Sequence, residues 1–400
     1  MGENKSIKTE RVPHDSKRNY DESFINERRT WLSRQTTAKF SHITHYSLKA
    51  EDVKGNIENF IGVAQVPIGV VGPLLINGDF AKGVFYVPFA ATEGALVETY
   101  QRGAIALAKS GGIKVFINKD ENHLDPIFLF ESNDEARNFI LWLNNNFTKL
   151  KEKAESTTGF GKLLKVTPYL VGKRVILDFA YYTADAMGAN MINIATEEVC
   201  NFISKEIKIK RYLLRSNFSS EKKASAVNLL IGYGKEVIIE AVVSEKIIIR
   251  YLRSTPEEIH QSWYSWAVSS FHSGMLGINA HYANGLAAIF IACGQDTAHI
   301  ANASVGITLY EIEKSGDLHI SLKLPNIVVG TVGGGTALPT QRECLEMIGC
   351  YGKDKSKKFA EIIGASLLAG ELGICAGITS EHFLDPHKRA RLHTREKAFG

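Results

Sequence analysis

Six segments between residues 126 and 216 alternate in an order that few folds accommodate. "PIFLF" (126–130) reads as a strand, and "NDEARNFILWLNNNFTKLKEKAEST" (133–157) as an amphipathic helix capped by Asn133 or Asp134. "KLLKVTPYLVG" and "RVILDFAYY" are β-branched and aromatic strands separated by a glycine turn. "NMINIATEEVCNFISKEI" is a second helix and "KRYLLRS" a last strand. The order β-α-β-β-α-β is the ferredoxin-like pattern. Residues 130–213 are therefore expected to form a compact module inserted in a larger domain. The rest of that domain divides into 51–129 and 228–400, with 214–227 as a loop between module and domain and 1–50 as a partly disordered segment carrying one helix. The expected class is α+β.

The flanking segments fill in the larger domain. "ESFINERRTWLSRQT" reads as an amphipathic helix, and "GNIENFIGVAQVPIGVVGPLLI" as strand and turn. "ATEGALVETYQRGAIALAKSGG" (91–112) is a helix closed by Gly-Gly, with Glu93 in its first turn. Beyond the module, "EVIIEAVVS" is a strand and a helix begins near 256. A long apolar helix is expected at about 281–303, followed by two strands and a helical tail.

Bulk properties exclude several classes. Lys and Arg number 47 against 43 Asp and Glu, interleaved along the chain, so no basic footprint for nucleic acid is present. The five cysteines form no CxxC pair and read as reduced thiols, not as a metal or disulfide framework. The polar N-terminus is unlike a signal peptide, and a soluble cytoplasmic protein is expected.

Several residues could carry chemistry, each with a plain alternative. Asp296 closes the apolar run "GLAAIFIAC"; a carboxylate there is either a cap, a salt-bridged core group or a functional one. Glu93 is a helix-start glutamate or, given its small neighbours, an acid that a ligand can approach. Lys222 and Lys223 form an exposed basic pair or line a cleft at the module junction. "GTVGGGT" (330–336) and "DAMGANM" (185–191) offer glycines where a phosphate could meet backbone. His387 lies in a tail that could close over a cleft.

These segments together resemble the 3-hydroxy-3-methylglutaryl-CoA reductase family, in a class I-like, soluble form. "IENFIG", "VPIGVVGPL", "ATEGALVETYQRG", "DAMGANM", "EKKASAVN", "NAHYANGLAAIFIACGQD", "GTVGGGT" and "LAGEL" stand in family order between about residues 56 and 390. The resemblance implies a large substrate domain around a long central helix, with the ferredoxin-like insert binding the dinucleotide. It implies a homodimer or higher homo-oligomer, with "ENFIG" at the contact and sites shared between chains. The implied catalytic residues are Glu93, Lys222, Asp296 and His387, with Asp296 between Lys222 and Glu93. Asp185, Met187, Gly188, Asn190, Gly333 and Gly334 would bind NADPH, with NADH as the alternative. Arg102, Arg215, Glu221, Lys223 and Asn284 would bind the CoA thioester. No metal is called for.

The sequence departs from the family at three places. Arg215-Ser216-Asn217 replaces Ser-Gly-Asn, "WYSWAVSSFHSG" offers only His272 where a lysine is usual, and "PIFLF" has Leu129 where an arginine is frequent. The expectation is that Arg215 and Lys223 answer the substrate carboxylate instead, through charge-assisted hydrogen bonds. The rival readings are a reductase of a different acyl thioester and a binding protein without catalysis. Lys162, Lys165 and Lys173 are the basic residues available for a 2′-phosphate.

Overall fold

The computed structural model describes residues 11–36 and 38–380. Helix α1 (Glu22–Thr36) packs on the "ENFIG" segment through two arginines: Arg28 donates to the Phe60 carbonyl and Arg29 to the Ile61 carbonyl, each at 2.7 Å. Strands β1 (Ile68–Gly78) and β2 (Lys82–Ala90) form a hairpin, followed by α2 (Leu96–Lys109) and β3 (Ile113–Leu124). The inserted elements are β4 (Ile127–Leu129), α3 (Asn133–Glu155), β5 (Lys162–Val171), β6 (Arg174–Tyr182), α4 (Ala189–Glu206) and β7 (Arg211–Leu213). Then come the short α5 (Ala226–Leu230), β8 (Gly234–Val243), the short α6 (Glu245–Ile247), α7 (Pro256–Ser273) and α8 (Tyr282–Ala292). The short α9 (Ile300–Ala303), β9 (Ile307–Ile312), β10 (Leu318–Ile327), α10 (Pro339–Met347) and α11 (Ser356–Thr379) complete the fold.

Strand β3 belongs to two sheets. Its first part, Lys114–Glu121, pairs antiparallel with β8, which continues to β10 and β9; its last three residues, Asn122–Leu124, pair with β6. In the insert, β6 lies between β5 and β4, and β7 lies beyond β4. All these neighbours are antiparallel, giving the spatial order β7-β4-β6-β5. The insert has its own core, with Phe128, Phe139, Leu177, Phe179 and Val199 at its centre.

Helix α11 is the axis of the larger core, and every residue from Phe359 to Gly373 is buried. A helix apolar on all sides must be enclosed. Among the described residues it alone is long and apolar enough to cross a membrane, and 83% of that stretch is buried inside the fold. Two glutamates interrupt it. Glu361 accepts the backbone N–H groups of Asp79, Phe80 and Ala81 at the β1–β2 turn. Glu371 accepts those of Ala280 and His281, each at 3.0 Å, and the Thr308 hydroxyl at 3.0 Å. Burial pushes both carboxyls above their usual range, and these donors only partly oppose it.

Three local expectations are corrected. The helix expected at 281–303 breaks after Ala292. Gly294, with φ +66°, takes the left-handed conformation that ends helices. Helix α2 starts at Leu96, because Ala95 sits at φ +68°; Glu93 therefore precedes the helix and is not in its first turn. The cap of α3 is Ser132, whose hydroxyl accepts from the Glu135 N–H, not Asn133 or Asp134. All five cysteines are buried free thiols, as the sequence suggests.

Candidate active site

The loop from β7 to α5 carries Lys222 in a strained backbone. Asn217 (φ +73°), Ser220 (φ +53°) and Lys222 (φ +59°) all occupy the left-handed region without being glycine. Such residues cost about 1–3 kcal/mol each and persist only where the surroundings over-determine them. The conformation delivers the Lys222 Nζ to 2.7 Å from the Asp296 Oδ2, with both side chains about one-third exposed.

Asp296 begins the turn that follows the broken end of α8. Its Oδ1 accepts the Ala298 N–H at 3.0 Å, so it is a cap and an ion-pair partner at once. Burial works against its charge, but the Lys222 ammonium and the Ala298 N–H outweigh that and hold its carboxyl below the ordinary value of 3.8. His299, one turn on, is buried; its Nε2 stands 3.9 Å from Glu221 Oε1, and burial holds its pKa down.

Three glycine-containing loops meet beside this pair. The buried Gln295 amide bonds both ways to Gly330, accepting its N–H at 2.9 Å and donating to its carbonyl at 3.0 Å. A Cβ on Gly335 would fall 2.6 Å from the Gly294 carbonyl oxygen, so "GGG" and "CGQ" touch through bare backbone. Thr331 N–H bonds to the Asp185 carbonyl at 2.9 Å, which brings in "DAMG". Gly188 caps α4 at φ +78° without any side-chain cap, leaving the first N–H groups of an 18-residue helix available. Around Gly333 and Gly334 there is open space.

Glu93 and Asn284 form a second cluster. Asn284 Nδ2 donates to Glu93 Oε2 at 2.9 Å, and both line a cavity of about 430 Å³. Its other walls are mostly apolar, including Val66, Leu96, Ala287 and Ile291. No ion pair joins Glu93 to Lys222 or Asp296 among the described residues; within one chain the expected three-residue network is two separate pairs.

The remaining expected residues fall as follows. The Arg215 guanidinium is held by Glu221 and by Asn193 Oδ1, at 2.8 Å from Nη2. Lys223 is exposed; its Nζ donates to the Glu221 carbonyl at 3.2 Å and its backbone N–H to the Ser220 carbonyl at 3.0 Å. Arg102 Nη2 donates to the Gly373 carbonyl at 3.1 Å, against α11. The Asp185 carboxylate caps α11, accepting N–H groups from Asp354, Lys355 and Ser356. Burial opposes its charge, but those N–H groups prevail and hold its carboxyl low. The Met187 carbonyl is tied to Asn122 Nδ2 at 3.0 Å, and Asn190 is exposed. Lys162 pairs with Glu155 at 3.4 Å, while Lys165 and Lys173 are exposed. His387 lies outside the described residues. Gln295, His299 and Glu371 were not singled out from sequence, although the first stands beside Asp296 in "CGQD" and the last within "LAGEL".

The hydroxymethylglutaryl-coenzyme A reductase profile matches residues 24–392. The chain belongs to that family. Its members are oxidoreductases. The 3-hydroxy-3-methylglutaryl-coenzyme A reductase of Methanocaldococcus jannaschii is 44% identical over 369 residues, spanning 90% of this chain and 91% of that protein. The Pyrococcus horikoshii reductase is also 44% identical, over 370 residues and 90% of each chain. A solved class II reductase from Streptococcus pneumoniae, bound to NADPH in open conformations, superposes with a TM-score of 0.68. It covers 89% of this chain and 97% of that one at 17% identity, a likeness of fold.

Proposed function

We propose that the protein reduces 3-hydroxy-3-methylglutaryl-CoA to mevalonate and free CoA in two steps, consuming two NADPH. The observation that carries this reading is the Lys222–Asp296 ion pair beside three converging glycine loops. An ammonium held by a carboxylate is a preorganised positive charge of the kind that stabilises an oxyanion.

The residues fit a dinucleotide. The uncapped α4 start at Gly188 suits a phosphate, and the open backbone at Gly333 and Gly334 leaves room for the rest. When bound, NADPH supplies the hydride each reduction consumes. Lys222 then offsets the negative charge that develops on the thioester oxygen. The thiohemiacetal collapses to aldehyde, and His387 gives its proton to the departing thiolate. In the second reduction Glu93, oriented by Asn284, donates the proton that completes the alcohol. Lys223 answers the substrate carboxylate; Arg215 joins it only by leaving Glu221.

In this reading residues 130–213 bind the dinucleotide, and a second subunit completes the site. That Glu93 and Lys222 bond different partners within one chain, Asn284 and Asp296, supports the shared site. So do the apolar side chains of Ile68, Val70, Val84 and Tyr86, all about half exposed on the β1–β2 hairpin. The engaged state of Arg215 keeps a second reading in view, a thioester without a carboxylate. One assay separates them. Nicotinamide absorbance is followed against free thiol with hydroxymethylglutaryl-CoA and with uncharged acyl-CoAs. Two equivalents oxidised per thiol with the former supports the main reading; turnover of the latter alone supports the second.

A further inference from the structure

Asp125, on the connection from β3 to β4, spends its entire carboxylate on the loop that carries Lys222. It is 2% exposed. Its Oδ2 accepts the Ser216 hydroxyl at 2.5 Å and the Phe218 N–H, and its Oδ1 accepts the Ser219 hydroxyl. Its backbone carbonyl also takes the Ser216 N–H at 2.8 Å. We propose that Asp125 is a positioning residue that fixes where the Lys222 ammonium stands, and that it does so from the connection between β3 and β4. The proposal rests on the role given to Lys222 above.

Three features support it. The loop holds three non-glycine residues in the left-handed region, so something outside it must over-determine its path. Other anchors on residues 216–219 are slight: Asn228 Nδ2 to the Ser219 carbonyl at 3.3 Å, and ring contact between Tyr169 and Phe218 at 4.5 Å. Asp125 also directly follows the end of β3 that pairs with β6, and the carbonyl of its neighbour Pro126 accepts the Leu177 N–H at 2.9 Å. The clamp therefore ties the lysine to β6 and hence to the insert. A carboxylate suits the place because all its partners are donors and it is acceptor-only. Asparagine keeps one acceptor oxygen, and the serine hydroxyls can turn to accept from its amide, so it is a partial substitute.

The test uses full-length Asp125→Ala, Asp125→Asn and Ser219→Ala, with two readouts. Hydrogen exchange of the peptide spanning 216–223 needs no turnover. In D125A these amides should exchange at least about ten-fold faster while those of α11 stay as they were. In steady state kcat should fall about 10²-fold, the effect of a misplaced group, with both KM values within about three-fold. D125N should recover part of the loss. S219A should fall less, and adding it to D125A should cost nothing further, since both act on one contact. A folded D125A with unchanged loop exchange, or a loosened loop with unchanged kcat, overturns the proposal. So does a loss confined to KM. If D125A fails to fold, S219A and Ser216→Ala carry the same comparison. If the unaltered enzyme turns over no thioester, the reaction assignment fails, and loop exchange alone decides the clamp.

Discussion

The Nζ of Lys222 and the Oδ2 of Asp296, 2.7 Å apart, come from a strained loop and from the broken end of a buried helix. Neither element would hold this geometry alone. The two roles of Asp296 can be separated, because asparagine is also a good N-cap. Asp296→Asn should keep the Ala298 bond and leave stability within about 1 kcal/mol. Its kcat should fall about 10²-fold as the ammonium loses its charged partner. Thermal melts and steady-state kinetics on one preparation check both parts.

The pH dependence follows from the direction of the Asp296 shift. Its folded-state carboxyl is held below 3.8, so its contribution to stability is present above the unfolded value and lost as pH falls through the folded one. The stability difference between wild type and D296N should be constant from about pH 5 to 8 and shrink only below the ordinary aspartate range. Urea midpoints measured against pH test this. A difference that fades near pH 6 would contradict it.

Glu371 should prove structural and costly to change. Its partners, the Ala280 and His281 N–H groups and the Thr308 hydroxyl, include two fixed donors, and a glutamine would present its own donor to one of them. Glu371→Gln should cost about 1–3 kcal/mol, the penalty of unsatisfied buried groups. The start of α8, which carries Asn284, should loosen with it. Denaturant unfolding and exchange of the 279–286 amides are the measurements.

Gly188→Ala tests the dinucleotide site. The residue has φ +78°, and an added Cβ would fall 2.5 Å from Thr183 Cγ2. The turn before α4 must shift, so the dissociation constant for NADPH should rise about ten-fold or more while the larger core keeps its stability. Fluorescence titration with NADPH reads it directly.

Much of this was legible in the sequence where local chemistry dominates. The strand and helix alternation of the insert and the bounds of α1 follow from apolar periodicity and end signals. What was not legible depends on single backbone angles or distant partners. Ala95 in the left-handed region moves Glu93 out of α2, and Gly294 cuts a run that reads as continuous helix. Asp185 reads as a ligand-facing acid within "DAMG", yet its carboxylate caps α11, some 170 residues away. Asp125 gave no signal beyond an Asp-Pro pair, because its donors lie more than 90 residues on. Lys222 and Asp296 stood out by their settings, and the family resemblance gave them a catalytic role and set Asp296 beside Lys222; the fold brings the two to 2.7 Å.

The most direct measurement is single turnover by Lys222→Met with saturating hydroxymethylglutaryl-CoA and NADPH, with binding of each followed separately. The account predicts that both still bind, while thiol release and nicotinamide oxidation fall by at least about 10²-fold. Hydride transfer within ten-fold of the unaltered enzyme would contradict it.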